Sequence, residues 1–201
     1  MDEKIDRDQF VDNFIFLDSY PIEKLKGIDA FLNNTDLTPY ITPPRTHKII
    51  VIKSINQILF PEFCFINKEY EQLDEWKDLC SIVNPLVEFM SKQVDSKFKN
   101  HYPCHAEINS MPPNTKILKH KDDHYGVGID YRVHLVLETN DDVEFIVEGN
   151  ALSLPKGSCF IFDNSKLHEV HNNHSLLSRT HLVIDYSTST VSRKNGKRNS
   201  I

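Results

Sequence analysis

The chain has 201 residues, of which 39% are hydrophobic and 10% aromatic, enough for one domain with a sizeable core. Its formal net charge of −6 argues against a general binder of nucleic acid or anionic membranes, and we expect neither as a partner. No apolar run approaches the roughly 20 residues of a membrane span, and the charged start MDEKIDRDQF lacks a signal peptide's apolar core. The four cysteines form no CxxC pair, so we expect reduced thiols in a cytoplasmic protein.

The first segments of the chain mix strand and helix patterns. FVDNFIFLDSY, residues 10–20, predicts a strand. PIEKLKGIDAFL, residues 21–32, predicts a helix, because Pro21 suits the first helical position and apolar residues follow at helical spacing. KIIVIKS, residues 48–54, predicts another strand.

The clearest helical pattern covers residues 71–98. Pro85 within it predicts a break or a kink. We expect the apolar stripe of this region to pack against the outside of a β-structure and brace it. The stripe consists of Trp76, Leu79, Val83, Leu86 and Met90.

From residue 105 onward, short apolar segments alternate with turns. Their regular spacing predicts a β-sandwich or a β-barrel. The predicted strands are HAEINSM, TKILKHK, YRVHLVLET, VEFIVEG, NALSLP, GSCFIFD, HEVHNN and SRTHLVIDYS.

Two histidine–acid triplets are candidates for a metal site, because residues two apart in a strand lie on one face. They are His105-Ala-Glu107 and His120-Lys-Asp122. Chance alone predicts about 1.4 such triplets here, so a solvated strand face explains either one more simply. An open iron site needs two histidines and one carboxylate, and the second histidine must come from a distant strand. His168, at the entrance of the predicted strand HEVHNN, is placed to supply it.

Two predicted strands carry charged residues on faces that are otherwise apolar. In SRTHLVIDY every second residue from Arg179 to Asp185 lies on one face, and in YRVHLVLET Arg132 shares a face with His134. A buried arginine needs an anionic partner, and its planar fork suits a carboxylate. An internal pair of Arg179 with Asp163 or Asp185 explains the spacing as well as a ligand site does.

The order of these motifs closely resembles the aspartyl/asparaginyl β-hydroxylase family of the iron(II)- and 2-oxoglutarate-dependent oxygenases. The family pattern is His-x-Asp, Arg-x-His-x-x-Leu, Gly-x-x-x-x-Phe-Asp, His-x-Val-x-Asn and Arg-x-x-Leu-x-x-Asp. Each motif stands in this order within about residues 105–186: His120/Asp122, Arg132/His134, Gly157/Phe162/Asp163, His168/Val170/Asn172 and Arg179/Leu182/Asp185.

The resemblance implies a mainly β fold with flanking helices, namely a double-stranded β-helix, or cupin-like jelly roll. It implies one oxygenase domain over residues 1–186, with an N-terminal bracing region at 1–104 and the jelly-roll core at 105–186. The polar, basic segment 187–201 is expected to be a disordered tail.

Three residues match the family's iron-binding positions: His120, Asp122 and His168. Some members lack the carboxylate, whereas this chain has an aspartate there. The triplet at 105–107 falls one strand too early and is expected to be structural. His171 and His174 match no ligand position and are expected to be solvated turn residues.

The resemblance also implies the co-substrate site. Arg179 matches the residue that pairs with the distal carboxylate of 2-oxoglutarate. Arg132 and His134 match residues that bind the co-substrate near the metal, although Arg132 could instead orient the substrate. Asp163 and Asp185 are expected to support the site, and no catalytic residue is expected beyond the metal ligands.

The implied function is hydroxylation of an unactivated C–H bond in an amino-acid-type substrate. The cofactors are Fe(II) and 2-oxoglutarate, and succinate and CO2 are released. A free amino acid, a peptide or a protein side chain all stay open as the substrate. The alternative is a non-enzymatic jelly-roll protein that binds a metal or a ligand, and the complete set of ligand positions argues against it.

Overall fold

A computed structural model of the protein describes residues 10–35, 48–51, 74–98, 102–122 and 131–187. Within these residues, helix α1 covers Lys26–Asn34 after a 3-10 turn at Ile22–Leu25, and helix α2 covers Asp74–Lys97. The strands are β1 Phe14–Phe16, β2 Lys48–Val51, β3 Tyr102–Met111, β4 Thr115–His120, β5 Tyr131–Glu138, β6 Val143–Val147, β7 Asn150–Leu152, β8 Cys159–Phe162, β9 His168–Asn172 and β10 Arg179–Ser187.

The strands form two antiparallel sheets. The larger sheet has the order β1-β8-β5-β10-β3-β2, and the smaller sheet has the order β4-β9-β6-β7. The two strands that carry arginines, β5 and β10, are neighbours in the middle of the larger sheet. The two strands that carry the histidines of the candidate metal site, β4 and β9, pair in the smaller sheet. The predicted jelly roll is therefore confirmed, and its topology brings the motifs together in pairs.

Helix α2 braces the outer face of the larger sheet, as its apolar stripe predicts. Every second residue of β5 and β10, such as Val133 and Ile184, faces outward into one buried cluster with the helix. The side chain of Trp76 lies outside the described residues. The other four members of the stripe are at most 2% exposed: Leu79, Val83, Leu86 and Met90.

The helix does not break at Pro85, because α2 continues through this residue as one helix. A proline inside a helix removes a backbone hydrogen bond and costs about 3 kcal/mol. Val83 and Leu86, on either side, are both buried in the core. Burial of the stripe offsets the local cost, so tertiary packing decides the length of the helix.

The space between the two sheets holds a second apolar cluster. It includes Val136 from β5, Phe160 and Phe162 from β8, Phe145 from β6 and Val170 from β9. The rings of Phe145 and Phe162 lie edge to face with centroids 5.0 Å apart. These side chains form apolar walls around the polar residues that β5 and β10 point inward.

Gly157, the first residue of the third motif, stands where the chain turns into β8. Its φ is +85°, and a Cβ there would lie 2.6 Å from the carbonyl oxygen of Tyr20. Only glycine fits a left-handed conformation against such a close backbone approach. The glycine of this motif thus sets the entry of β8 beside β5.

Two sequence predictions fall largely outside the described residues. The tail prediction at 187–201 is one; only Ser187 is described, and it ends β10 as a strand residue. The side chain of His105 is the other. Among the described helices, none combines the length and the apolar character that a membrane crossing requires.

Candidate active site

The three predicted metal ligands converge between the ends of β4 and β9. His120 ends β4 directly opposite His168, which begins β9. One oxygen of Asp122, Oδ1, lies 3.6 Å from His120 Nε2 and 3.8 Å from His168 Nε2. Two atoms that each bind one ion at about 2.1 Å are at most about 4.2 Å apart, and both separations satisfy this limit. Within the described residues, this is the group of His, Cys, Asp and Glu that is close enough to share a metal.

Backbone carbonyls hold both imidazole rings in the orientation that metal binding requires. His120 Nδ1 lies 2.7 Å from the carbonyl oxygen of Leu118, and His168 Nδ1 lies 2.9 Å from that of Lys166. Because a carbonyl only accepts, each Nδ1 carries the hydrogen. Each Nε2 is then free to bind a metal, the usual arrangement of ligating histidines.

The turn between β8 and β9 positions two of the three ligands. The carboxylate of Asp163 accepts hydrogen bonds from the backbone N–H and the hydroxyl of Ser165, which closes the turn that leads into His168. The backbone N–H of Asp122 donates to the carbonyl oxygen of Asn164 in the same turn, at 3.1 Å. One turn therefore ties the aspartate to the second histidine.

Arg132 is surrounded by carboxylates. Its Nε and Nη2 donate to the two oxygens of Asp185 at 2.6 and 3.1 Å, and its Nη1 reaches Oδ2 of Asp122 at 3.3 Å. Asp185 stands directly across the β5–β10 pairing from Arg132. The negative charge of Glu107 adds to these effects, and together they outweigh burial and raise the pKa of Arg132 well above its usual value. Arg132 thus orients the second oxygen of Asp122, and its role toward a co-substrate stays a prediction.

The charges of the candidate metal group are strongly coupled. The Asp122 carboxylate raises the pKa of His120, whereas burial lowers the pKa of His168. Burial works to raise the pKa of Asp122, but His120 and Arg132 outweigh it and hold that pKa well below its usual range. At pH values below its pKa, a proton on His120 Nε2 therefore competes with a metal ion for the same place.

Arg179 is buried at the opposite end of β10, and it has no carboxylate partner among the described residues. It is 2% exposed, and its Nη2 donates to Nδ1 of His181 at 2.8 Å. Its Nε has no hydrogen-bond partner among the described residues. Burial lowers the pKa of Arg179 to about 9, and no anionic side chain of the described part of the chain offsets this effect. The alternative of an internal pair with Asp163 or Asp185 is not seen among the described contacts of Arg179, and these carboxylates bind Ser165 and Arg132.

Two neutral histidines lie beside Arg179. His134 Nδ1 is 3.3 Å from His181 Nδ1, and the ring of His134 stacks on Phe160 with centroids 5.1 Å apart. Burial, followed by the charge of Arg179, holds the pKa of both histidines well below the usual value. Nε2 of His134 has no partner among the described residues. The sequence motifs predicted His134 for this site but not His181, which only the strand alternation placed on the same face.

The remaining candidates lie elsewhere. His171 was expected in a turn but is a residue of β9, and it contacts Glu169 at 3.1 Å and Glu144 at 3.6 Å. His174 does lie in the turn after β9, where its Nδ1 accepts two backbone N–H groups. Glu107 is buried on β3, consistent with the structural role expected for its triplet.

Asn172, the last residue of the fourth motif, supports the site from a distance. Its side chain is fully buried, and its amide donates to the carbonyl oxygens of Met111, Pro112 and Leu177. These contacts fasten β9 to the end of β3 and to the segment that leads into Arg179. The asparagine of this motif therefore holds three chain segments around the cavity.

Comparison with known proteins agrees with this arrangement. The family model described as aspartyl/asparaginyl beta-hydroxylase matches residues 60–188, more than half of the chain. The chain belongs to the aspartyl/asparaginyl β-hydroxylase family. Membership confirms the resemblance seen in the motifs and the class of activity, an Fe(II)- and 2-oxoglutarate-dependent oxygenase acting as a hydroxylase. Nothing among the described residues favours the non-enzymatic alternative.

Solved structures share the fold of this hydroxylase. A 2OG-Fe(II) oxygenase family oxidoreductase from Burkholderia pseudomallei is 19% identical with a TM-score of 0.58, covering 88% of this chain and 85% of that one. A prolyl hydroxylase from Trichoplax adhaerens, in complex with a hypoxia inducible factor peptide fragment, is 14% identical with a TM-score of 0.53, covering 95% and 90%. A Pseudomonas putida prolyl-4-hydroxylase is 12% identical with a TM-score of 0.52, covering 88% and 93%. At these identities, the likeness shows the jelly-roll fold alone.

Proposed function

We propose that this hydroxylase binds Fe(II) through His120, Asp122 and His168, and the distal carboxylate of 2-oxoglutarate through Arg179. The observation that carries the proposal is the buried guanidinium of Arg179, which has no carboxylate partner among the described residues. The ring of Phe162 contacts both His168 of the metal group and His134 beside Arg179, which links the two places. A buried cation without a counter-charge is costly unless a ligand supplies one.

The residues present fit iron. Two imidazoles and one carboxylate, with the remaining positions open, are the ligand set of non-haem Fe(II) oxygenases. Both histidines have their Nδ1–H bound to a carbonyl, and Asp122 has its second oxygen bound to Arg132. The donor atoms are therefore oriented before any metal arrives.

The residues present also fit a dicarboxylate. Arg179 offers an unpaired Nε–H and a fork suited to a carboxylate, and Phe145, 5.9 Å below the guanidinium, provides an apolar wall. His134 presents an unpartnered Nε2 beside this pocket. We propose that the ring of His134 packs against the co-substrate nearer to the metal without donating a hydrogen bond to it, whereas Arg132 acts mainly by positioning Asp122.

The protein's part in the reaction is to bind, orient and exclude water. When bound, Fe(II) would activate dioxygen, the oxidant, so that one oxygen atom enters the substrate C–H bond and the other enters succinate as 2-oxoglutarate loses CO2. Phe160 and Phe162 line the interior with aromatic rings, which keeps the pocket apolar around its few polar groups. Arg179 would place the positive charge in this interior, and neutral His181 would hold its guanidinium in position, so the distal carboxylate would bind there.

We propose an amino-acid-type substrate, as a free amino acid, a peptide or a protein side chain. The family supports a substrate of this class. The structural likeness to a prolyl hydroxylase in complex with a peptide fragment makes a peptide or protein side chain the first class to test.

We further propose a reducing, cytoplasmic setting for the enzyme. Cys159 is free and buried, and burial raises the pKa of its thiol to about 12. Such a thiol is an unreactive packing residue. Titration of all four thiols in protein purified without reductant would count them as free if the proposal is correct.

The experiment has two stages. Metal-loaded protein is first titrated with 2-oxoglutarate under nitrogen, and then a panel of amino acids, peptides and protein extracts is screened for succinate formation and for a mass gain of one oxygen. We expect 2-oxoglutarate binding that depends on the metal, and hydroxylated product with one substrate class. Metal binding without 2-oxoglutarate binding or succinate would support the non-enzymatic alternative.

A further inference from the structure

His181 lies between the two residues assigned to the co-substrate. Its Nδ1 is 2.8 Å from Nη2 of Arg179 and 3.3 Å from Nδ1 of His134, and the side chain is 2% exposed. A guanidinium has only donors, so Nδ1 of His181 must accept and carries no hydrogen. The proton of the neutral His181 ring is therefore on Nε2.

The same acceptor determines the tautomer of His134. If Nδ1 of His134 also lacked a hydrogen, two nitrogen lone pairs would face each other at 3.3 Å. His134 therefore donates from Nδ1, and its Nε2 carries the lone pair that has no partner among the described residues. The single lone pair of His181 Nδ1 is thus shared between a short hydrogen bond from Arg179 and a longer one from His134.

No other described side chain competes for this role. Arg179 has its described hydrogen bond with His181 alone, and its other contact is the ring of Phe145. Directly across the strands, His181 faces Val136 on β5 and Asn109 on β3, and neither has a described contact with Arg179. The orientation of the Arg179 guanidinium therefore depends on His181.

We propose that His181 is a positioning residue of the co-substrate pocket, which directs the fork of Arg179 and fixes the tautomer of His134 through its Nδ1. This inference rests on the proposed function, because it assigns the orientation of residues that would bind 2-oxoglutarate. His181 itself needs no contact with the co-substrate. His181 occupies an unspecified position of the fifth family motif, between Arg179 and Leu182.

The test compares two amides at the same position. The amide oxygen of His181→Asn can take the place of Nδ1, whereas the longer His181→Gln carries its oxygen nearer to the place of Nε2. We measure the Kd for 2-oxoglutarate on full-length, Mn(II)-loaded protein by calorimetry, with the metal affinity and the thermal stability determined in parallel. The Michaelis constant for 2-oxoglutarate and kcat are measured wherever a substrate is available.

We expect His181→Asn to stay within about threefold of the wild-type Kd, and His181→Gln to weaken it by about tenfold or more, because two buried donors lose their acceptor. Metal affinity should be unchanged in both, and the Michaelis constant should rise while kcat at saturating 2-oxoglutarate is retained. His171→Gln, the same change on a histidine of β9 that contacts Glu144 and Glu169, serves as the matched control and should bind like wild type.

The outcomes separate this inference from the function on which it rests. Equal affinities of the Asn and Gln variants would overturn the positioning role, since a packing role depends on volume and not on the place of an acceptor. Wild-type affinity in both variants, with weakened binding in Arg179→Met, would overturn the role of His181 alone. A wild-type protein that binds no 2-oxoglutarate would overturn both.

Discussion

Arg132 and Arg179 stand on adjacent strands of one sheet and face the same interior, but their surroundings differ in charge. Arg132 forms three hydrogen bonds to two carboxylates, and its pKa is raised well above the usual value. Arg179 has a neutral histidine and an aromatic ring, and burial lowers its pKa to about 9. A charge that is balanced within the protein supports the structure, whereas an unbalanced buried charge marks the place where a ligand supplies the balance.

Removal of a metal ligand should have the largest effect, which is the loss of metal binding beside Arg132. His168→Ala takes away one of two imidazole ligands, so we expect metal affinity to fall by more than about a hundredfold. The measurement is calorimetric titration with Mn(II), alongside His171→Ala, which changes a histidine outside the metal group. Retained affinity in the His168 variant would show that the ion binds elsewhere.

Loss of the partner of Arg132 should destabilise the fold. Asp185→Asn removes one of two carboxylates from a buried pair, and we expect the free energy of unfolding to fall by about 3 kcal/mol, since Arg132 keeps Asp122. Urea denaturation measures this effect. Asp142→Asn, on an exposed turn residue, is the control and should change stability by less than about 0.5 kcal/mol. Equal effects of the two substitutions would show that the ion pair of Arg132 with Asp185 does not stabilise the fold.

Lysine in place of each arginine should distinguish the role of Arg132 from that of Arg179. Lysine keeps the charge but loses the fork. Arg132→Lys should weaken metal binding by about tenfold, because Asp122 loses its orientation. Arg179→Lys should leave metal binding intact and raise the 2-oxoglutarate requirement. Titration of each variant with the metal and with 2-oxoglutarate tests this. Weaker metal binding in Arg179→Lys, together with weaker 2-oxoglutarate binding in Arg132→Lys, would reverse the two roles.

The neutral histidine beside Arg179 should appear in the pH dependence of stability. His181 stays unprotonated in the folded protein, so below about pH 6.5 the unfolded chain binds one proton more at this residue. Its contribution to stability is therefore lost as pH falls, at about 1.4 kcal/mol per pH unit. We expect metal-free His181→Asn to lose stability less steeply than wild type between pH 6 and 5, as measured by urea denaturation. Parallel curves would show that His181 is protonated in the folded state.

Much of the fold follows from local patterns in the sequence. The alternation in β5 and β10 correctly separated outward residues such as Val133 from inward residues such as His134, because a strand repeats every two residues. The helix at 71–98 was predicted to within a few residues. Of the break or kink predicted at Pro85, the break is wrong, because a local rule omits the packing of the residues around it.

The site was less predictable where it depends on register. The motifs predicted which residues matter, but not that Asp185 stands opposite Arg132, which only the pairing of β5 with β10 determines. The role of His181 arises from the approach of His134 on the next strand and leaves no separate signal in the sequence. Residue types and their spacing can be read from a sequence. Which charges are paired depends on the distances between side chains of different strands, and these require the structure.

The most direct test of the account is the affinity for 2-oxoglutarate in wild type and in Arg179→Met, with metal content measured in both. Methionine fills a similar space without the charge, and we expect binding to weaken by about 2–5 kcal/mol while metal affinity is unchanged. Unchanged 2-oxoglutarate affinity at full metal occupancy would show that Arg179 is a structural arginine, and that the unbalanced charge does not mark the co-substrate site.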